Sequence, residues 1–287
     1  LRIHSRLEGR SDLELITLSG EARKDPEARR AALNSCDLAV LCLPDAASRE
    51  SVAMIENPAV RVVDTSTAHR VAPGWAYGFP ELSQSRRDAV ISGKRVASPG
   101  CHAGGFIVLV QPLIEAGLLP ASAKLCCHSL TGYSGGGKKM IADYESPDRP
   151  AHSKLDAPKS YGLSLAHKHL PEMQKISGLA NPPAFVPVVC DYYSGMQVLV
   201  PFQPVWGGAE KVAAGLAEYY RDAATIKVHA LNEPLPENGL YSNAMAGTDR
   251  MELYSTVNAA GDQMMLVSLF DNLGKGSSGA AVQCMNL

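Results

Sequence analysis

The sequence has no long apolar stretch and no block of like charge. Its longest apolar runs, residues 38–43 and 106–110, are far shorter than the ~20 residues that span a bilayer. The formal net charge is -2 and basic residues occur only in short pairs, so nothing indicates a nucleic acid or an anionic membrane as a partner. No secretory signal pattern opens the chain. These absences favour a soluble protein, and we expect it to be cytoplasmic.

Paired cysteines are also lacking. The seven cysteines are scattered without CxxC spacing, which argues against a disulfide framework and against a zinc site. We therefore expect reduced thiols and no metal. Cys42 and Cys190 lie in apolar runs, where a cysteine is usually a small buried side chain. Cys101 is the exception.

The 287 residues are enough for two domains, since a domain usually has roughly 100–200 residues. The chain before Cys101 alternates predicted strands with predicted helices, which indicates a doubly wound α/β fold. We expect strands at residues 13–18, 37–43, 61–64 and 94–97, and helices at residues 1–10, 26–35 and 45–56. Ligands in this fold bind at the carboxyl ends of the strands, here near Pro44 and Ser66.

Predicted strands dominate the rest of the chain and indicate an α+β domain with a mostly antiparallel sheet. We expect strands at residues 124–131, 183–193, 196–202, 226–230, 253–258 and 264–270, and helices at residues 103–116, 209–221 and 275–286. Ser194 and Gly195 are predicted to join two antiparallel strands. Residues 146–158, with three prolines among charges, predict an exposed loop.

Cys101 lies in the segment 98–105 (SPGCHAGG), between a predicted strand and a predicted helix. This pattern places the cysteine at a helix N-terminus, where free N–H groups and the helix dipole favour a thiolate. The same N–H groups suit an oxyanion on a carbonyl that the sulfur attacks. The alternative is a cysteine that merely fills a tight turn.

A candidate base lies in the segment 161–172 (YGLSLAHKHLPE). A cysteine nucleophile is usually activated by a nearby histidine, and His167 is followed by Glu172, a carboxylate that would orient its ring. A polar surface helix and a metal site are the alternatives, although a single carboxylate beside two histidines is a thin ligand set.

Two further motifs suit anionic ligands. The segment 132–139 (GYSGGGKK) lets the backbone approach a phosphate or ribose, although it lacks the pattern of a nucleoside triphosphatase loop. A flexible surface turn is the alternative. Arg70 ends the segment 64–70 (DTSTAHR) and is suited to bidentate phosphate binding. Its alternative is a surface salt bridge.

Taken in order along almost the whole chain, these motifs resemble the N-acetyl-gamma-glutamyl-phosphate reductase family in its shorter form. The resemblance rests on the segments CLP 42–44, DTS 64–66 with Arg70, YGFPE 77–81, PGC 99–101, SGGGKK 134–139, HKH 167–169 with PE 171–172, FVP 185–187, NLGKG 272–276 and GAAVQ 279–283.

The resemblance implies an activity. Members of the family reduce an acyl phosphate to a semialdehyde with NADPH through a cysteine thioester, in arginine biosynthesis. Cys101 would be the nucleophile, His167 the acid/base residue and Glu172 its orienter. The substrate would contact Arg70, which would hold the leaving phosphate, and also His169 and Tyr161. Cofactor contacts would come from Pro44, Ser66, Gly135, Gly136 and Asn272.

The resemblance also implies the domain organisation. Residues 1–100 and 272–287 would form the dinucleotide-binding domain, and residues 101–271 the catalytic domain. A homo-oligomer, either a dimer or a tetramer, is expected.

The sequence departs from the family pattern at two places. Where the family usually has Asn-Pro-Gly-Cys-Tyr, this sequence has Ser98 in place of the asparagine and His102 in place of the tyrosine. The roles of these two residues are therefore in doubt, but the cysteine nucleophile is present. The family also begins with a strand and a glycine-rich turn that cradles the pyrophosphate, and Leu1 aligns just after that turn. We therefore expect a segment upstream of Leu1.

Two alternatives stay open. Another acyl-phosphate reductase, of the aspartate-semialdehyde or aminoadipyl type, shares the cysteine, histidine and hydride chemistry and differs in its pocket. An inactive scaffold is the other, and the presence of Cys101, His167 and Arg70 weighs against it.

Overall fold

A computed structural model describes residues 2–205 and 207–287, which form two compact units. The first unit comprises the chain up to Gly100 together with Ser277–Leu287, and the second is Cys101–Gly276. The family resemblance implies that residues 272–276 belong to the first unit, but they pack in the second. The physical reason is hydrogen bonding, because the Asn272 side chain accepts from the N–H of Gly195 at 2.8 Å.

Strands and helices alternate through the first unit, whereas strands predominate in the second. The strands are β1 (Leu38–Leu41), β2 (Arg61–Asp64), β3 (Ala76–Tyr77), β4 (Arg95–Ala97), β5 (Cys126–Gly132), β6 (Lys159–Ser160), β7 (Ala184–Cys190), β8 (Met196–Phe202), β9 (Ile226–Val228), β10 (Met251–Val257) and β11 (Met264–Phe270). The α-helices are α1 (Arg2–Leu7), α2 (Pro26–Ser35), α3 (Asp45–Ala53), α4 (Gln84–Ser92), α5 (Cys101–Glu115), α6 (Gly137–Tyr144), α7 (Leu170–Ser177), α8 (Ala209–Tyr219) and α9 (Gly279–Asn286).

The sheet of the first unit has the order β1-β2-β4-β3, and every described pair in it is parallel. Its central strands are apolar and covered, as Val62 and Val96 are almost fully buried. The doubly wound α/β prediction is confirmed for this unit. The helix α2 begins where expected, because the Asp25 side chain accepts from the N–H of Glu27 and Pro26 occupies the first turn.

One predicted strand of the first unit is wrong. Residues 13–18 are not part of a sheet in the described chain, and Leu15 and Ile16 are 39% and 55% exposed. An apolar run becomes a strand only when a neighbouring strand satisfies its backbone groups, and the sequence pattern does not reveal whether that neighbour exists. Cys42 is also exposed, contrary to expectation, because β1 ends one residue before it.

The sheet of the second unit has the order β6-β7-β5-β8-β11-β10-β9. Four of its six described pairings are antiparallel, as predicted. The predicted pairing of β7 with β8 is wrong, since β5 lies between them and is parallel to β7 and antiparallel to β8. The segment that joins β7 to β8 crosses the end of β5, where Gly132 donates its N–H to the carbonyl of Gly195 at 3.0 Å.

The helix α5 is the central helix of the second unit and positions Cys101. Nearly all its side chains are buried, because it packs on β8 and β11 and also contacts α7 and α8. It begins directly after the pair Pro99-Gly100, which interrupts the preceding extended chain. A helix buried on all sides cannot shift easily, so its first residue has a well-defined position.

The end of the chain is less regular than predicted. The last helix begins at Gly279 and not at Lys275, and a π-helical turn, Gly274–Ser278, precedes it. Such turns are rare and often occur at functional sites. None of the helices in the described part of the chain has the length and hydropathy that a membrane crossing requires.

Candidate active site

Cys101 is the first residue of α5 and is partly exposed. It therefore lies where the predicted helix N-terminus placed it, beside backbone N–H groups that have no partner within the helix. The chain of the π-helical turn packs closely against it. A Cβ atom added to Gly276 would lie 2.9 Å from the Cβ of Cys101.

Four rings gather around His102, the residue that follows the cysteine. We call His102, Tyr161, His167, His169 and Phe185 the ring cluster, and all of them belong to the second unit. The His102 ring centroid lies 5.9 Å from that of His167 and 5.6 Å from that of His169. The two histidine rings of the HKH motif are 4.8 Å apart. The structure thus brings together His167, His169 and Tyr161, all of which the sequence analysis selected.

His102 forms hydrogen bonds through both ring nitrogens. Its Nδ1 lies 2.7 Å from the Oγ of Ser129, and its Nε2 lies 2.9 Å from the hydroxyl of Tyr161. The imidazole is 4% exposed. Burial, together with the neighbouring His167, lowers the pKa of His102 to about 3, so the ring is neutral at physiological pH.

The backbone fixes the tautomer of His167. Its Nδ1 accepts from the N–H of His169 at 3.2 Å, so the proton of the neutral ring is on Nε2. Burial lowers the pKa of His167, and the charge of Lys168 lowers it further. A neutral imidazole is the form that acts as a base.

The predicted orienting role of Glu172 stays a prediction. Glu172 is buried in the first turn of α7, close in sequence to both histidines. The contact described for Nδ1 of His167 comes instead from the backbone of His169. The sequence pattern does not predict this backbone contact.

The glycine-rich segment forms a turn before α6, in the second unit. Gly135 and Gly136 lie in a short 3-10 helix and are exposed. Gly137 has a φ of +76°, and a Cβ atom placed there would meet nothing within 4 Å. An exposed backbone with open space in front of it, followed by Lys138 and Lys139, fits a phosphate or ribose of NADP.

Asn272 anchors that turn and is almost fully buried. Its Oδ1 accepts from the N–H of Gly195 at 2.8 Å, and its Nδ2 donates to the Oγ of Ser134 at 3.1 Å. These contacts join the crossover between β7 and β8 to the glycine-rich turn. The predicted contact of Asn272 with the cofactor remains untested.

In the first unit, the predicted ligand edge is built around Asp64. The hydroxyl of Ser66 donates to Oδ2 of Asp64 at 2.7 Å, and Nδ1 of His69 lies 2.6 Å from the same oxygen. Pro44 is exposed and precedes α3. Ser66 and Pro44 therefore lie after β2 and β1, at the carboxyl ends that a doubly wound fold uses for ligands.

Arg70 is 9% exposed, so it is a buried residue and not one of the surface. Its Nε donates to the carbonyl of Ser98 at 3.0 Å, and its Nη2 donates to the carbonyl of Thr65 at 2.9 Å. The backbone of the first unit thus fixes the plane of the guanidinium group. Its predicted role in phosphate binding remains a prediction.

Three residues of the site were missed or left undecided by the sequence analysis: Ser129, His102 and Gly276. Buried and more exposed residues alternate along β5, and Ser129 is at one of the inward positions and is fully buried. A polar residue at an inward position of a strand is the signal that could have identified it. Among residues 2–205 and 207–287, no group of three or more His, Cys, Asp or Glu side chains is arranged to hold a metal ion.

Comparison with known protein families covers both units. Residues 11–89 match the family described as semialdehyde dehydrogenase, NAD binding domain. Residues 101–272 match the family described as semialdehyde dehydrogenase, dimerisation domain. The second unit therefore contains a domain associated with homo-oligomers.

Similar proteins support the same assignment. N-acetyl-gamma-glutamyl-phosphate reductase of Burkholderia lata is 46% identical, in an alignment that covers 100% of this chain and 91% of that protein. N-acetyl-gamma-glutamyl-phosphate reductase 2 of Pseudomonas putida is 45% identical, with 100% and 92% covered. Aspartate semialdehyde dehydrogenase II from Vibrio cholerae has a similar structure, with a TM-score of 0.69 at 16% identity over 89% of this chain and 80% of that one. That structural likeness shows the fold, whereas the sequence identities place this chain in the N-acetyl-gamma-glutamyl-phosphate reductase family.

Proposed function

We propose that the protein reduces N-acetyl-gamma-glutamyl phosphate to N-acetylglutamate semialdehyde and phosphate, with NADPH as the hydride donor. The observation that carries this proposal is the cluster of three histidine rings that surrounds the residue after a cysteine at the start of a buried helix. A thiolate nucleophile and a neutral histidine base are what acyl transfer to sulfur requires. Family membership supplies the substrate.

The reaction follows from the residues of the second unit. The sulfur of Cys101 attacks the acyl carbon, and its bond to that carbon forms as the carbon–oxygen bond to phosphate breaks. The N–H groups at the start of α5 stabilise the negative charge on the acyl oxygen. His167 accepts the thiol proton at Nδ1, the nitrogen that carries no proton in the neutral ring, and gives up its contact with the N–H of His169 as it does so. The proton returns to the sulfur when the thiolate is released. When bound, NADPH would supply a hydride to the thioester carbon, and the bond from that carbon to the sulfur of Cys101 then breaks to give the aldehyde and the thiolate.

The remaining predicted positions complete the proposal. His169 and Tyr161 contact the substrate, Arg70 holds the departing phosphate, and Glu172 supports His167. NADP contacts come from Pro44 and Ser66 in the first unit, and from Gly135, Gly136 and Asn272 in the second. The open space at Gly137 and the exposure of the neighbouring glycines support the second group.

The assay that tests the function runs the reaction in reverse. Full-length protein is mixed with NADP, inorganic phosphate and N-acetylglutamate semialdehyde, and NADPH formation is followed by absorbance. We expect phosphate-dependent NADPH formation that the Cys101→Ser variant lacks. Preference for aspartate semialdehyde or an aminoadipate semialdehyde would move the protein to another reductase class. No NADPH formation with any semialdehyde would favour the inactive scaffold.

Assembly and location belong to the same proposal. The match to a dimerisation domain supports a dimer or a tetramer. The molar mass from light scattering after size-exclusion chromatography would distinguish the two. A reducing compartment such as the cytoplasm suits a reaction that needs Cys101 as a thiolate, since an oxidised sulfur is not a nucleophile.

A further inference from the structure

Three polar side chains, two of them buried, form a hydrogen-bonded chain next to the reacting cysteine. It runs from Ser129 in β5, through His102 in α5, to the hydroxyl of Tyr161. Its outer end has a fixed position, because the N–H of Tyr161 also donates to the carbonyl of Pro187 at 3.0 Å. The residue at its centre follows Cys101 directly in the sequence.

The central imidazole carries only one proton. His102 is buried, and the rings of Phe185 and His167 lie against it at centroid distances of 5.3 Å and 5.9 Å. Its described hydrogen-bond partners are two hydroxyl groups, and neither stabilises a positive charge as a carboxylate would. One ring nitrogen therefore donates a hydrogen bond and the other accepts one.

The burial of Ser129 decides which nitrogen donates. Ser129 is fully buried, and Nδ1 of His102 is the only hydrogen-bond partner described for its hydroxyl group. If Nδ1 carried the proton, the hydrogen of the Ser129 hydroxyl would be a buried donor without an acceptor, which is costly. Ser129 therefore donates to Nδ1, and the proton of His102 is on Nε2.

This tautomer sets the direction of the hydrogen bond at Tyr161. Nε2 of His102 donates to the phenol oxygen, so the hydrogen of the Tyr161 hydroxyl must point to another acceptor. Tyr161 is only partly buried, so water or a substrate can accept that hydrogen. Burial raises the pKa of Tyr161, and the charge of Cys101 raises it further, so the hydroxyl keeps its hydrogen at physiological pH. The hydroxyl lies 2.9 Å from Nε2 of His102, the residue that directly follows Cys101 in the sequence.

We propose that Tyr161 donates a hydrogen bond to the acyl oxygen of the substrate while Cys101 attacks the acyl carbon, and that Ser129 and His102 are positioning residues that orient this donor. The hydrogen bond stabilises the charge that develops on the oxygen, and no proton is transferred. This inference rests on the proposed function and assigns a catalytic role to a residue that the family resemblance implied only as a substrate contact.

The tautomer is measured directly on the wild-type protein. Nitrogen-15 NMR of protein labelled at the histidine rings distinguishes a protonated ring nitrogen from an unprotonated one. We expect the signals of His102, assigned by comparison with the His102→Gln variant, to show a neutral ring protonated at Nε2. A ring protonated at Nδ1 would overturn the proposal, because Tyr161 would then have to donate to His102.

Kinetics of Tyr161→Phe test the catalytic role. We expect kcat to fall roughly 10²-fold, the effect of removing one donor to an oxyanion, with little change in KM. The rate of Cys101 alkylation by iodoacetamide should be unchanged, since that reaction creates no oxyanion. An increase in KM alone would mean a ground-state contact, for example with the phosphate, and would overturn the proposal. A parallel loss of alkylation would also overturn it, because Tyr161 would then act on the sulfur.

Two further variants give the controls. Tyr220→Phe removes another tyrosine hydroxyl of the second unit, which donates to the carbonyl of Val108 at 2.8 Å, and we expect no loss of kcat. Ser129→Ala should lower kcat, with a smaller effect than Tyr161→Phe, and change the His102 nitrogen signals. Unchanged signals and unchanged kcat in Ser129→Ala would overturn the positioning role.

Failure of this inference is distinguishable from failure of the proposed function. An active wild-type enzyme with His102 protonated at Nδ1 would reject only the role of Tyr161. A wild-type enzyme that converts no semialdehyde would reject the function, whatever the tautomer of His102.

Discussion

Gly276 lies directly against Cys101, and a Cβ atom at position 276 would come within 2.9 Å of the cysteine Cβ and 3.1 Å of the carbonyl of Asp271. Neither neighbour can move freely, since one belongs to the buried helix α5 and the other is backbone. The NLGKG motif therefore has a physical reason for its last glycine. It lets the chain of the π-helical turn pass beside the nucleophile.

Gly276→Ala should consequently impair turnover through displacement of Cys101. We expect a loss of kcat and slower alkylation of the thiol, measured by steady-state assay and mass spectrometry. Gly239→Ala is the matched control, because nothing lies within 4 Å of a Cβ atom at that position. Equal activity of the two variants would show that the turn yields without moving the nucleophile.

Cys101 should be the first thiol to react with iodoacetamide near neutral pH, because a helix N-terminus stabilises its thiolate. Cys126 is a control within the same chain, since it is exposed but lies in a strand. Burial raises the pKa of Cys127 and of Cys190, so both should react slowly. Mass spectrometry after brief labelling ranks the sites. Labelling of Cys126 as fast as Cys101 would contradict the assignment of the nucleophile.

His167→Asn should lower kcat by about 10²–10⁴-fold, the usual cost of losing a general base, while NADPH affinity stays the same. His169→Asn should act mainly on KM. The pH profile gives a second test, because burial lowers the pKa of His167 from its ordinary 6.5. The wild-type rate should fall as the pH drops through that lowered value, and this acid limb should be absent in His167→Asn. The reverse pattern in the two variants would exchange their roles.

Arg70→Lys should raise the apparent constant for phosphate in the reverse reaction, since an ammonium group cannot reproduce the planar guanidinium. The same change removes donors to the carbonyls of Ser98 and Thr65. An effect on the phosphate constant that results only from lower stability must therefore be distinguished from the loss of a phosphate contact. Arg95→Lys provides the control. Its guanidinium donates to the carbonyl of Val60 at 2.8 Å in the same unit, at the opposite end of the strands. An equal change of the phosphate constant in both variants would remove Arg70 from the phosphate site.

The sequence predicted those features that depend on neighbouring residues. The apolar run before Pro44 predicts β1, and the capping residue Asp25 predicts the start of α2. Cys101 could be placed at a helix start because Pro99 and Gly100 interrupt the chain just before it. In each case the determining interactions lie within a few residues.

Features that depend on distant partners were not predictable. The strands β7 and β8 are adjacent in sequence with a glycine between them, which favours a hairpin, yet both pair with β5. The bond between Ser129 and His102 likewise joins two elements whose proximity only the fold determines. The hydrophobic pattern of a sequence indicates which face of a strand is buried, but it does not indicate which element packs against that face.

The central position of β5 has a consequence for how the chain folds. Cys126 pairs with Ala184 and Thr131 pairs with Met196, so both edges of β5 stay open until β7 and β8 have been synthesised. Non-local pairings of this kind slow folding, and an open strand edge can pair with another chain meanwhile. We expect the refolding yield of the full chain to fall steeply as protein concentration rises, while the folded protein tolerates the same concentrations.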